Sequence, residues 1–129
     1  MDEQLVAKNA EVARRVCEAW NVMELEEFQR LFAADVDYRN IPIDGDVHRS
    51  PEAVHDILSR FRAKWDVTLR VDHLVADERL VMTERVEHFV HRAGQKPSFD
   101  LPVMGVFELR DGQITHWRDY FESSHLRLR

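Results

Sequence analysis

The chain has 129 residues, 44% hydrophobic and 33% charged, with a formal net charge of −6. This fits one globular domain, residues 1–129, able to bury its own core. A negative chain with no basic block excludes nucleic acid as the expected partner, since phosphate binding needs clustered cations.

The first residues, Met1-Asp2-Glu3-Gln4, are acidic and polar, unlike a secretory leader. Leu5, Val6, Val12, Ala13, Val16, Cys17 and Trp20 recur at helical spacing and predict a helix from about Glu3 to Trp20. Cys17 is the only cysteine, so no internal disulfide and no thiolate metal site can form. A second helix is expected from Glu24 to Phe32, with Leu25, Phe28, Leu31 and Phe32 inward. A short strand, Asp35 to Ile41, precedes the turn at Pro42 and Asp44-Gly45. Ser50-Pro51-Glu52 opens a third helix running to about Trp65, with Val54, Ile57, Leu58 and Phe61 on its apolar side.

From Asp66 the period changes to two. Val67, Leu69 and Val71 alternate with polar residues, and a second strand runs from Leu80 to His91 after a turn near Asp77-Glu78. A loop around Gly94 to Pro97 leads to a third strand, about Ser98 to Leu109. Asp111-Gly112 signals a hairpin into a last strand, Gln113 to Glu122. Helices followed by a meander of antiparallel strands define an α+β fold: a curved, mixed or antiparallel sheet around a deep pocket, closed by the N-terminal helices. Gly105, inside a strand, is expected to mark a bulge or bend. The location expected is cytoplasmic, because no run is long enough to span a membrane. The basic end, His125-Leu126-Arg127-Leu128-Arg129, is too short to suggest a nucleic-acid site.

Alternation places Arg85 and Glu87 on one strand face, between Thr83 and Phe89. Asp119 shares a face with Trp117 and Phe121, which marks that face as inward and Asp119 as a buried or pocket carboxylate. Tyr38 and Asn40 share a face of the early strand. Arg85 has donors enough for two carboxylates, so Asp119, Arg85 and Glu87 form either a strut between strands or a functional set. Two acids sharing one arginine can have their proton affinities pushed apart, one serving as general acid and the other as general base. Tyr38 and Asn40 can hold a water between them. Pocket walls by face and helix position are Trp20, Val22, Leu25, Phe61, Trp65, Phe89, Leu101, Val103, Trp117 and Phe121. The seven histidines are scattered, with no His-Glu-x-x-His run, and read as surface or core residues rather than metal ligands.

Four segments resemble limonene epoxide hydrolases, in that family's order. They are Tyr38-Arg39-Asn40-Ile41-Pro42, Thr83-Glu84-Arg85-Val86-Glu87, the hairpin from Leu101 to Ile114, and Trp117-Arg118-Asp119-Tyr120-Phe121. The resemblance implies the cone-shaped α+β barrel shared with scytalone dehydratase and ketosteroid isomerase. It also implies a homodimer, no cofactor, and one-step addition of water to a small apolar epoxide. By the same resemblance Asp119 is the general base, Tyr38 and Asn40 hold the water, and Arg85 bridges the acids. Glu87 stands in the general-acid position, where the family has Asp. The added methylene leaves three alternatives: an adjusted acid, a differently shaped epoxide, or another reaction. The rival readings are an isomerase, dehydratase or polyketide-cyclase-like enzyme on the same fold, and a non-catalytic module that binds hydrophobic ligands.

Overall fold

A computed structural model describes residues 1–124, so the basic end at 125–129 lies outside the described residues. Helix α1 spans Glu3–Ala19, and the Asp2 side chain caps it by accepting from Gln4 N and Leu5 N. Its buried residues, Asn9, Val12, Ala13, Val16, Cys17 and Ala19, follow the helical repeat. Helix α2, Leu25–Leu31, ends where strand β1, Phe32–Asn40, begins. The strand therefore starts three residues before alternation announces it, because both Phe32 and Ala33 are buried. A two-residue strand β2, Val47–His48, pairs back on β1 and carries too little pattern to read from sequence. Helix α3, Pro51–Lys64, has Pro51 in its first turn and the Ser50 hydroxyl accepting from Ala53 N at 3.0 Å.

Four long strands follow: β3 Trp65–Ala76, β4 Leu80–His91, β5 Phe99–Arg110 and β6 Gln113–Tyr120. Asp111 and Gly112, at φ 53 and 78, turn the last hairpin with the left-handed backbone that an Asp-Gly pair favours. The sheet order is β2-β1-β6-β5-β4-β3. Strands β3 to β6 form the expected antiparallel meander, and β1 joins β6 in parallel, which makes the six-stranded sheet the mixed one of the two arrangements expected.

The helices pack on one face, α1 chiefly against β3, and α3 against α2, β1 and β3. Ladder irregularities between Val71 and His73 and between Glu108 and Leu109 add local twist. Gly105 is not one of them: it pairs in register with both Thr83 and Asp119. Its reason is close approach rather than a bend. Among the described residues no helix is long and apolar enough to cross a membrane.

Candidate active site

The ladders bring four strands together at one level. The parallel register sets Asn40 beside Asp119 and Tyr38 beside Trp117. The antiparallel ladders set Asp119 beside Gly105, Gly105 beside Thr83, and Glu87 beside Leu101. Arg85, 1% exposed, lies behind the two acids. Its Nε donates to Glu87 Oε2 at 3.2 Å, its Nη2 donates to Asp119 Oδ2, and its Nη1 donates to Thr83 Oγ1 at 3.3 Å. All five residues named from sequence therefore meet in one cluster: Tyr38, Asn40, Arg85, Glu87 and Asp119.

Two indole donors complete it. Trp117 Nε1 donates to Asp119 Oδ1 at 2.7 Å, and Trp20 Nε1 donates to Glu87 Oε2 at 3.2 Å. Sequence reasoning placed both tryptophans in the wall but not their N–H groups on the acids. The available signal was that a buried indole N–H needs an acceptor. Both oxygens of Asp119 accept a donor, whereas both bonds to Glu87 fall on Oε2.

Burial raises the pKa of Glu87; Arg85 opposes this, and the Asp119 charge adds to it. Burial also raises the pKa of Asp119, against the Arg85 charge and the hydrogen bonds from Arg85 and Trp117. Asp119 accepts donors on both oxygens and Glu87 on Oε2 alone, so a single shared proton is better placed on Glu87. Burial disfavours the Arg85 cation, but the facing carboxylates outweigh it and keep the guanidinium charged.

Tyr38 and Asn40 are held by a residue the sequence did not single out. Asp46, in the turn between β1 and β2, accepts from Asn40 Nδ2 at 2.7 Å and from Asn40 N at 3.2 Å. Its other oxygen lies 3.0 Å from His48 Nε2. A carboxylate only accepts, so it fixes the amide nitrogen on its own side. Asn40 Oδ1 then faces Tyr38, whose hydroxyl donates to it at 3.3 Å. The Tyr38 ring stacks on Trp117 with centroids 4.1 Å apart. Burial pushes the Tyr38 phenol well up, so it stays protonated.

These groups border a cavity of about 440 Å³, within the size range of small-molecule sites. The predicted walls Trp65, Phe89, Leu101, Val103, Trp117 and Phe121 all line it, with Trp20 and Phe61. Val22 and Leu25 do not. Val22 is 64% exposed because the helical repeat ends at Trp20 and the following turn buries Met23 instead. Leu25, at the start of α2, is half-buried away from the cavity.

A helix-backed curved sheet with its polar cluster on the inner face defines the NTF2- and ketosteroid-isomerase-like fold. Residues 13–117 match the model of the SnoaL-like domain, and the chain belongs to that family. It is similar to epoxide hydrolase EphG of Mycobacterium tuberculosis, with 30% identity over 105 residues, 79% of this chain and 67% of that protein. Among solved structures it resembles an LEH-like epoxide hydrolase of M. tuberculosis (TM-score 0.76, 23% identity, 91% of this chain and 84% of that one). It also resembles a hypothetical protein with a ketosteroid isomerase-like fold from Catenulispora acidiphila in complex with trimethylamine (TM-score 0.77, 23% identity, 88% and 87% covered).

Proposed function

We propose that this chain is a cofactor-independent epoxide hydrolase that adds water to an apolar epoxide in one step. The observation that carries the reading is Arg85 bridging Asp119 and Glu87, two acids that line a largely apolar cavity, with Asn40 the ladder neighbour of Asp119. The similarity to EphG supports the same reaction class.

Hydrogen-bond accounting supports a water held among these groups. Tyr38 directs its O–H hydrogen bond at Asn40 Oδ1, so its oxygen is left to accept, and Asn40 keeps a second amide hydrogen. A water that donates to Asp119 and to Tyr38 Oη, and accepts from Asn40, has one lone pair left for a ring carbon. As that C–O bond forms, Asp119 takes the water proton. The ring C–O bond breaks, its electron pair moves to the epoxide oxygen, and that oxygen takes the Glu87 proton. The product is a vicinal diol. Asp119 is left neutral and Glu87 ionised, and transfer of one proton between them restores the starting state. Orientation and two concerted proton transfers supply the rate.

Incubation of purified protein with cyclic and aliphatic epoxides should yield diols, and Asp119→Asn should lower the rate about 10²- to 10⁴-fold. No diol from any epoxide, or full activity in Asp119→Asn, contradicts the reading. A ketone-exchange arm covers the rival: deuterium uptake beside a carbonyl without diol formation assigns the site to an isomerase-like reaction. We read the active form as a homodimer. The exposed Met82, Val90, Met104 and Tyr120 on the outer sheet face are apolar surface that a second copy would cover. A monomer in sedimentation at assay concentration would contradict this.

A further inference from the structure

The two oxygens of Glu87 are not equivalent. Oε2 accepts from Arg85 Nε at 3.2 Å and from Trp20 Nε1 at 3.2 Å. Oε1 accepts from no group among the described residues, although Glu87 lines the cavity. A carboxyl oxygen offers about two acceptor sites, so two N–H donors fill Oε2 and leave a proton no place there. Arg85 also serves Asp119, whereas the single N–H of the Trp20 indole serves Glu87 alone. Trp20 ends the apolar stripe of α1 as its C-cap residue, 2% exposed, with its backbone N–H bonded to Val16 O at 3.0 Å. Arg62 of α3 donates through Nη1 to Trp20 O at 3.1 Å and to Met23 O at 2.8 Å. Asn21 Nδ2 donates to Val67 O of β3 at 2.7 Å. Helix α3 and strand β3 therefore both hold the end of α1 in place, and the indole reaches Glu87 of β4. Glu87→Asp would withdraw the carboxyl by one methylene, about 1.5 Å, out of reach of that N–H.

We propose that Trp20 positions the acid: its N–H and Arg85 Nε together occupy Glu87 Oε2, so the proton that leaves is carried by Oε1. The place of the proton stands on this hydrogen-bond set alone; its delivery to an epoxide rests on the hydrolase reading above. As Oε1 gives the proton up, negative charge spreads to Oε2, where two N–H groups already point. Both bonds strengthen as that charge grows, which favours the transfer. The same two bonds oppose the upward push that burial gives the Glu87 pKa. Without the indole N–H, Glu87 should hold its proton more tightly and release it more slowly. The longer acid at position 87 is then matched to Trp20, because it reaches an indole that a shorter one would miss.

Trp20→Phe keeps an aromatic wall and removes the N–H. One arm of the test needs no epoxide. In acid-minus-alkaline infrared difference spectra, the carbonyl band that Glu87→Gln deletes belongs to protonated Glu87. With the proton on Oε1 that carbonyl is C=Oε2, which loses one of its two donors in Trp20→Phe. The band should move to higher wavenumber and persist to higher pH. In the activity arm kcat for diol formation should fall about tenfold, and the alkaline limb of kcat/KM should move upward, because the acid acts only when protonated. Lost wall packing alone would raise KM and leave band and limb in place. Glu87→Asp should already lack the bond, so adding Trp20→Phe to it should change kcat by less than about twofold. Should Trp20→Phe fold poorly, the Trp20 indole N–H resonance of the unaltered protein reads the same bond: it should titrate with Glu87, and that step should vanish in Glu87→Gln. A band and limb unmoved in folded Trp20→Phe, or an indole resonance indifferent to Glu87→Gln, overturns the role of Trp20 while diol formation stands. Absence of diol with the band shift intact overturns the hydrolase reading and leaves the proton on Oε1.

Discussion

Gly105 leaves the space that Arg85 fills: a Cβ on Gly105 would lie 2.5 Å from Arg85 Nη1. The same atom would lie 2.9 Å from Asp119 Oδ1 and 3.0 Å from Thr83 Oγ1. The glycine is therefore the floor on which the Arg85–Asp119 pair rests. Arg85 has no easy way to yield, being buried and bonded to three side chains. Gly105→Ala should cost about 1–3 kcal/mol of stability through overpacking, and a shift of about an ångström at Asp119 should lower turnover on the order of a hundredfold. Denaturant unfolding beside steady-state kinetics checks both, and a fully active, fully stable variant would show that the pair is not so confined.

The raised proton affinity of Glu87 has a stability consequence with a definite sign. A carboxyl whose folded pKa exceeds its unfolded value, near 4.5, stabilises the fold below that value. The contribution is lost as pH rises through the folded pKa. Asp37 and Asp77, whose pKa values are lowered by hydrogen bonds, give the opposite slope. The difference between the unaltered protein and Glu87→Gln isolates the one group. Stability of Glu87→Gln relative to the parent should rise as pH increases from about 4.5 upward. A relative stability flat with pH, measured by thermal melts in matched buffers, would mean that Glu87 ionises normally.

Asp46 should act through Asn40. Removing it in Asp46→Ala frees the Asn40 amide to turn and leaves its N–H groups without their acceptor. The loss should fall on kcat, about tenfold, with KM changing far less, because the water rather than the substrate is misplaced. Asp46→Asn keeps one accepting oxygen and should recover part of the rate. A change confined to KM, or an equal loss in both variants, would contradict a positioning role.

The fold and much of the cluster are legible in the sequence, for reasons visible in single residues. The alternation around Arg85 and Glu87 and the Trp117–Asp119–Phe121 face depend only on strand period, which is local. The α-helical stripe ending at Trp20 is equally local. What escaped depends on neighbours distant in sequence. The parallel pairing of β1 with β6 leaves no mark in either strand's alternation, yet it alone brings Asn40 beside Asp119. Asp46 looks like an ordinary turn acid until Asn40 is found beneath it. Gly105 reads as a bend because a sequence shows that a side chain is missing, not what occupies its place. Val22 misled because its wall assignment carried the helix period past the end of the helix.

Cys17 is buried against Thr83, its Sγ 3.9 Å from Oγ1, and burial pushes the thiol pKa up to about 11. It should stay neutral near pH 8 and resist iodoacetamide in the folded protein, reacting fully once denatured. Rapid native labelling, followed by mass spectrometry, would show that α1 opens readily above the site.

The central claim is direct attack by a water held by Asp119, Tyr38 and Asn40. A single turnover in heavy-oxygen water, with enzyme in excess over epoxide, tests it most directly. The account predicts a diol carrying one heavy oxygen from the first turnover and a protein of unchanged mass. An unlabelled first-turnover diol, with the heavy oxygen in the Asp119 or Glu87 carboxyl, would reveal a covalent ester and contradict it.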